Sequence, residues 1–491
     1  MFHVNDVRNF LICKRLFVNT LNSERINYQQ YIHMDEALSI IASKKLLISD
    51  AFFGQRGDQS DKTLSAMDYN EWLIKARFEY NNLRVKIPFM HKHDKTWDIY
   101  FVRNELFPKE DSLMYMTDSL WVLKKLMIDI NQVFIIHFNQ DYIRNGEIDY
   151  DKLMTISDRF YNHHNNQSNK IIDMIDNKTR DLTKTLNDME TFNIANLKKP
   201  VRERKCTNRF RCRFYEDCFP EESNLDDNSI LTLMGSEKKY KMFRDGVLTL
   251  ADADLDMIEG TRQQYAQIMA DRNGGLFVDK ANLSLWLKDT LKMPLSFLDF
   301  EWDRYAIPPY DGMKPFDVLL FQYSLHVFNK RLKHKEFIGM DDCRIEFIES
   351  LLHDLPKKGS IIAFNTSGGE ALRLRELQVS FPQYHQQIED VINRLVDFSV
   401  PFNLGIVYHL KMKGFYSLKK IVEVIDENYS YKRLAIPQAM MAVDSWRKLN
   451  NVKDSEEEKE LLDSLFAYCA MDTYSLYLIY QWFQEICEWG E

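Results

Sequence analysis

The sequence predicts an α/β protein of two or three domains. Three observations carry this expectation. The chain has 491 residues, more than one hydrophobic core usually organises. Its first 190 residues mix strand-like and helix-like stretches. From about residue 290, runs rich in β-branched and aromatic residues alternate with amphipathic ones, the order of an α/β fold. At 45% hydrophobic and 13% aromatic residues, the chain has ample material for packed cores.

In chain order, "SERINYQQYIHMDEALSIIASKKLL" reads as helical, and "WDIYFV" and "QVFIIHF" as strands. Residues 151–189, "DKLMTISDRFYNHHNNQSNKIIDMIDNKTRDLTKTLNDM", read as a long polar helix or a helix pair. "PEESNLDDNS" is acidic and turn-rich, as linkers are. "DADLDMIEGTRQQYAQIMADR" reads as helical and is ended by "NGG". Beyond 290, "LSFLDFEW", "VLLFQYSLHVF" and "GSIIAFN" read as strands. "CRIEFIESLLHDL", "YHQQIEDVINRLVDF", "FYSLKKIVEVI" and "SEEEKELLDSLFAYCAMDTYSLYLIYQWFQEI" read as helices. This gives three regions: 1–220, a helical connector over 221–289, and 290–491.

The longest apolar runs are far too short to span a bilayer, and "MFHVNDVRNF" lacks the pattern of a signal peptide. A cytoplasmic protein without membrane partners is the expectation. The net charge of −9 argues against indiscriminate coating of nucleic acid, but not against a basic groove. One basic cluster stands out in "VRERKCTNRFRCRF": Arg202, Arg204, Lys205, Arg209, Arg211 and Arg213. These are the candidate nucleic-acid contacts, with a solvated surface loop as the plain alternative.

In "PLSFLDFEW", Asp299 and Glu301 interrupt an apolar run. Residues two apart on a strand share a face, so both acids aim at one point. Burying two like charges costs several kcal/mol unless something pairs with them, and a divalent cation would. In "AYCAMDTYSLYLIY", Tyr468 and Asp472 lie one helical turn apart on one face. Glu370 sits at a strand–turn–helix junction, in the first helical turn. Four acids from three elements suit two hard ions, Mg²⁺ or Mn²⁺, roughly 4 Å apart, with Tyr468 orienting or helping to deprotonate an attacking water. Each pair taken alone is a weak signal, because such short patterns arise by chance.

The segments "PLSFLDFEW", "IPPYDGMKPFDVLLFQYSLHV", "GSIIAFNTSGGEALRLREL", "RLVDF", "GFYSLKKIV" and "YCAMDT" occur in the order seen in a family catalogued as a domain of unknown function, DUF2779. That domain resembles the DnaQ-like, RNase H-fold 3′–5′ exonucleases of the DEDD type. The resemblance spans roughly residues 290–485. It implies an RNase H-like α/β domain with Asp299 and Glu301 as the first motif, Glu370 at the second, where Asp is usual, and Tyr468 with Asp472 as the third. Asp397 in "RLVDF" is a weaker candidate, and Trp302 stands where relatives tend to carry a small polar residue.

Seven cysteines are unevenly spread. Cys206, Cys212 and Cys218 form a tight trio, and Cys13 stands alone near the start. Zinc sites favour closer pairs, whereas three cysteines and one distant partner suit a four-thiolate iron–sulfur cluster. Structural zinc and free core cysteines remain alternatives. The layout resembles the iron–sulfur RecB-like nucleases, which implies a restriction-endonuclease-like α/β module over 1–220 stapled by a [4Fe-4S] cluster. Set against those relatives, Pro88 stands where a catalytic Asp belongs, and Phe101 and Arg103 replace a Glu and a Lys. The first module is therefore expected to be catalytically degenerate. His91, His93 and Asp94 in "MHKHDK" read as a polar hairpin turn rather than a metal site.

Two functions follow as expectations. One is a two-metal nuclease, a 3′–5′ exonuclease by resemblance, whose first domain binds DNA or RNA. The other is a non-catalytic nucleic-acid-binding or scaffold protein in repair or defence with a vestigial site. Oligomeric state is not legible in the sequence.

Overall fold

The computed structural model describes residues 1–23, 29–207, 211–222, 224–426, 429–431, 434–436, 438–449 and 451–487, without the side chains of residues 29–35, 204 and 221. The protein is mixed α/β and divides into two units. The first comprises Met1–Phe219 with Ala306–Asp317; the second comprises Pro220–Tyr305 with Val318–Glu491.

The first unit is built on a seven-stranded mixed sheet. Trp72–Tyr80, Leu83–His93 and Thr96–Val102 form an antiparallel meander. Its first turn is Asn81–Asn82, both at positive φ, the geometry of a tight two-residue hairpin. Its second turn is Asp94–Lys95, so "MHKHDK" is a hairpin turn here, with Asp94 at φ 54°. Helix Leu113–Lys125 then crosses over to Ile130–Phe138, which runs parallel to Thr96–Val102. That helix buries Leu120, Trp121, Val122 and Leu123 in one core with Val85, Ile87, Ile99 and Phe101. The opposite face of the sheet packs Phe89, Ile136 and Phe138 against Ile41 and Ala42 of helix Gln29–Lys45. The start of the stretch read as that helix, residues 24–28, lies outside the described residues.

Residues 151–189 are not a long helix. They form strands Met154–Ser157, Arg159–Tyr161 and Gln167–Lys170, then helices Ile171–Lys178 and Thr183–Glu190. The polar stretch around Asn165, at φ 62°, turns the hairpin between the last two strands. Helical spacing of apolar residues begins only at Ile171, where Ile171 and Ile175 are buried.

The second unit carries a five-stranded sheet in the order Arg331–Ile338, Val318–Asn329, Leu295–Arg304, Ile361–Ala363, Leu395–Asp397. Each of the first three strands runs antiparallel to its neighbour among them, and the last two run parallel to the central strand. The end of "YHQQIEDVINRLVDF" is thus a strand, not a helix; its helix stops at Ile392. "PEESNLDDNS" is packed rather than loose. Leu225 lies against the core, and the Asn228 amide donates to Asp271. The residues read as a connector belong to this unit, where Leu250, Ile268 and Leu283 share a core with Phe297 and Phe402.

Alternation along Leu295–Arg304 separates two faces. Leu298 and Phe300 join Leu320, Tyr323 and Phe347 in one core. Leu295 and Phe297 pack in the other core with Leu476, Ile479 and Phe483 of the long helix Ser455–Cys487. Asp299 and Glu301, two and four residues beyond Phe297, lie on the face that this helix covers. Buried polar contacts fix the helix on the sheet. The Thr473 hydroxyl meets Ser324 Oγ and His326 Nδ1, each at 2.8 Å, and Gln322 Nε2 donates to the Leu465 carbonyl.

Candidate functional sites

The docked helix sets Tyr468, Cys469 and Asp472 above Asp299 and Glu301. Among the described residues, one group of three His, Cys, Asp or Glu side chains brings its ligand atoms within 4.8 Å of one another: Asp299, Glu301 and Asp472. Glu301 and Asp472 are buried, and Asp299 is partly exposed. Glu370, the first residue of helix Glu370–Ser380, is also buried. Its Oε2 has no hydrogen-bond partner. By contrast, the buried Asp303 on the same strand is neutralised by a two-pronged bond from Arg447 at 2.6 and 2.7 Å.

The four acids feel one another. Burial pushes Asp299 and Glu301 well above the carboxylate range, and each is raised further by Asp472 and Glu370. Burial lifts Glu370 to about 8, with Asp397 and Asp472 adding to the rise. Burial also lifts Asp472, to about 6, against a hydrogen bond from Tyr431 and the charge of Lys419. The Tyr431 hydroxyl donates to Asp472 Oδ1 at 2.6 Å, and the Cys469 thiol lies 3.7 Å from Asp299 Oδ2. A set of buried carboxylates with an unpartnered oxygen fits hard divalent cations.

Burial and the neighbouring acids push the Tyr468 phenol far above its ordinary value, so it keeps its proton. Lys419 Nζ donates to the Tyr468 oxygen at 3.0 Å and stands over the rings of Tyr431 and Tyr468. Asp397 has another task. Its carboxylate accepts from the backbone N–H groups of Asn365, Thr366 and Ser399, tying the strand end to the turn before Glu370. Trp302 turns to the opposite core, beyond a bulge at Glu301/Trp302. Lys419, Tyr431 and Cys469 escaped the sequence reading. Lys419 and Cys469 left only a trace, as residues within the quoted segments "GFYSLKKIV" and "YCAMDT".

In the first unit, Cys13, Cys206, Cys212 and Cys218 all line one small cavity with Ile12, Leu16, Lys205, Phe214, Tyr215 and Phe219. Burial raises the Cys218 thiol, and the other three cysteines add to the rise while Arg15 opposes it. Arg202, Arg211 and Arg213 lie over the rings of Phe219, Tyr215 and Phe214, three aromatic side chains of the cavity's lining. Lys205 pairs with Glu203 at 3.0 Å. Arg204 is described without its side chain, and Arg209 lies outside the described residues. Pro88 sits within strand Leu83–His93, Phe101 is buried in the core, and Arg103 pairs with Glu105.

Residues 296–417 match a family described as a domain of unknown function, DUF2779. An uncharacterized protein of Ureaplasma parvum serovar 3 is 25% identical over 228 residues, 41% of this chain and 32% of that protein. An uncharacterized protein of Mycoplasma genitalium is 23% identical over 220 residues, 40% of this chain and 33% of that protein. Each match therefore spans about a third of the relative's length. No solved structure matches the chain. Among the described residues, no helix is long and apolar enough to cross a membrane.

Proposed function

We propose that the second unit hydrolyses nucleic-acid phosphodiesters with divalent metal ions, as a 3′–5′ exonuclease. The observation that carries this is the convergence of Asp299, Glu301 and Asp472 from two elements, with the buried Glu370, one of whose oxygens has no partner, acting on Asp299 and Glu301. Nothing in the packing of the fold calls for such repulsion, whereas a cationic ligand does. The sheet order supports the same reading: an antiparallel meander extended by two parallel strands is the arrangement expected of an RNase H-like domain. The matched family segment contains Asp299, Glu301 and Glu370.

Asp299, Glu301, Glu370 and Asp472 would hold Mg²⁺ or Mn²⁺. Ions bound there would acidify the attacking water and neutralise charge on the leaving oxygen. In the hydrolysis, the water oxygen bonds to phosphorus and the bond from phosphorus to the 3′-oxygen breaks. The water's proton passes to solvent, and the departing 3′-oxygen takes one up. Tyr468, whose oxygen already accepts from Lys419, acts as a hydrogen-bond donor in the site.

In the first unit, Cys13, Cys206, Cys212 and Cys218 would hold a [4Fe-4S] cluster. The shared cavity and the pattern of three clustered cysteines with one distant partner support that group. With Phe101 in the core and Arg103 paired, this unit serves to bind nucleic acid rather than to cut it. The basic residues around the cysteines supply phosphate contacts.

The test is digestion of end-labelled single-stranded DNA and RNA with Mn²⁺ or Mg²⁺, wild type beside Asp472→Ala, on protein purified without oxygen. A ladder from wild type alone is the expected result. Binding of the oligonucleotides without cleavage by either protein would replace the nuclease with a scaffold that retains an old site.

A further inference from the structure

Lys419 sits in the first turn of helix Leu418–Ile425, which Ser417 caps by accepting the Lys420 N–H. Its charge lowers the carboxyl groups of Glu301 and Asp472, so it stands within electrostatic reach of the acidic centre. It also lies 4.6 Å from the Tyr431 ring centroid and 4.7 Å from that of Tyr468. The hydrogen bond to Tyr468 has only one possible direction. An ammonium group has donors and no acceptor, so the phenol oxygen must accept from it. The hydroxyl hydrogen of Tyr468 is then left for another acceptor. Tyr431, the second tyrosine, spends its hydrogen on Asp472.

We propose that Lys419 is a positioning residue of this centre, holding Tyr468 as a hydrogen-bond donor toward an anionic, non-bridging phosphate oxygen of the substrate. This rests on the nuclease reading above. Lys419 carries two consequences that can be measured apart. As a resident cation it competes with metal ions for the acids. As the donor to Tyr468 it acts in one unit with that phenol, so losses from the two residues do not multiply.

The experiment uses the full chain with Lys419→Met, Tyr468→Phe and the double variant. The first readout is the Mn²⁺ concentration that gives half the maximal thermal stabilisation. Lys419→Met should lower it several-fold, because a positive charge leaves the site. The second readout is steady-state cleavage of a single-stranded oligonucleotide. Each single variant should lose about tenfold to a hundredfold in kcat, with KM changed less than threefold, the pattern of an interaction made in the transition state. The double variant should match the worse single. An unchanged or raised Mn²⁺ midpoint in Lys419→Met, or losses that multiply in the double variant, would overturn the assignment. If wild type cleaves nothing, the nuclease reading fails by itself. The Mn²⁺ midpoint then decides alone: unchanged overturns the role of Lys419, and lowered keeps it as the centre's resident cation.

Discussion

Asp299 and Asp303 lie four residues apart on one strand and meet opposite fates. Asp303 is matched by Arg447, while Asp299 faces three more carboxylates. Removing one acid from the unmatched set relieves repulsion. Asp299→Asn should therefore melt at the same temperature as wild type or higher without metal. It should lose the Mn²⁺-dependent rise in melting temperature and at least about a hundredfold in cleavage rate. The sign of the pH dependence follows from the raised carboxyl groups. The folded state holds protons that the unfolded chain releases near pH 4. The stabilisation is thus fully present below that value and is lost as pH rises through about 6 for Asp472 and about 8 for Glu370. The metal-free melting temperature should fall between pH 5 and pH 9 by calorimetry, and saturating Mn²⁺ should flatten the slope.

At the scale of elements, the site depends on how helix Ser455–Cys487 meets the sheet and how the sheet meets its parallel strands. Thr473 bridges Ser324 and His326 in the interior. Thr473→Val keeps the shape but takes the partner from buried His326 Nδ1 and leaves Ser324 with His334, so it should cost about 1–3 kcal/mol in urea unfolding. Gly359 precedes strand Ile361–Ala363 at φ 95°, and a Cβ there would come 2.0 Å from the Pro294 carbonyl oxygen. Gly359→Ala should lower stability by more than about 1 kcal/mol, because both the backbone region and the space exclude a side chain. These elements were unevenly legible. Long periodic stretches such as Arg344–Asp354 and Ser455–Cys487 announce themselves by burial period. The strand Leu395–Asp397 has three residues and no alternation to read, and the hairpin within 151–189 is too polar to betray a buried face.

At the scale of the whole molecule, the two proposed centres, one of carboxylates and one of thiols, draw on residues of different units. They should fail separately. Cys206→Ser should abolish bound iron and acid-labile sulfide in anaerobically purified protein while leaving the Mn²⁺-dependent thermal shift intact. Zinc in place of iron in the wild type would replace the cluster with a structural metal site.

Residue types and spacings in the sequence determined an α/β chain and pointed to five candidate residues in the second unit and four cysteines in the first, because strand and helix periods place side chains on faces before any fold is known. Tertiary structure alone decided which of those faces meet. Asp299 and Asp472 are 173 positions apart, and only the docking of one helix on one strand makes them neighbours. The pairing of strand ends gave Asp397 to a turn, and the packing around the docked helix brought Tyr431 to Asp472 and set Lys419 beside Tyr468. No local period encodes those contacts, since each joins elements far apart in the chain, and burial and charge at the junction give each residue its role.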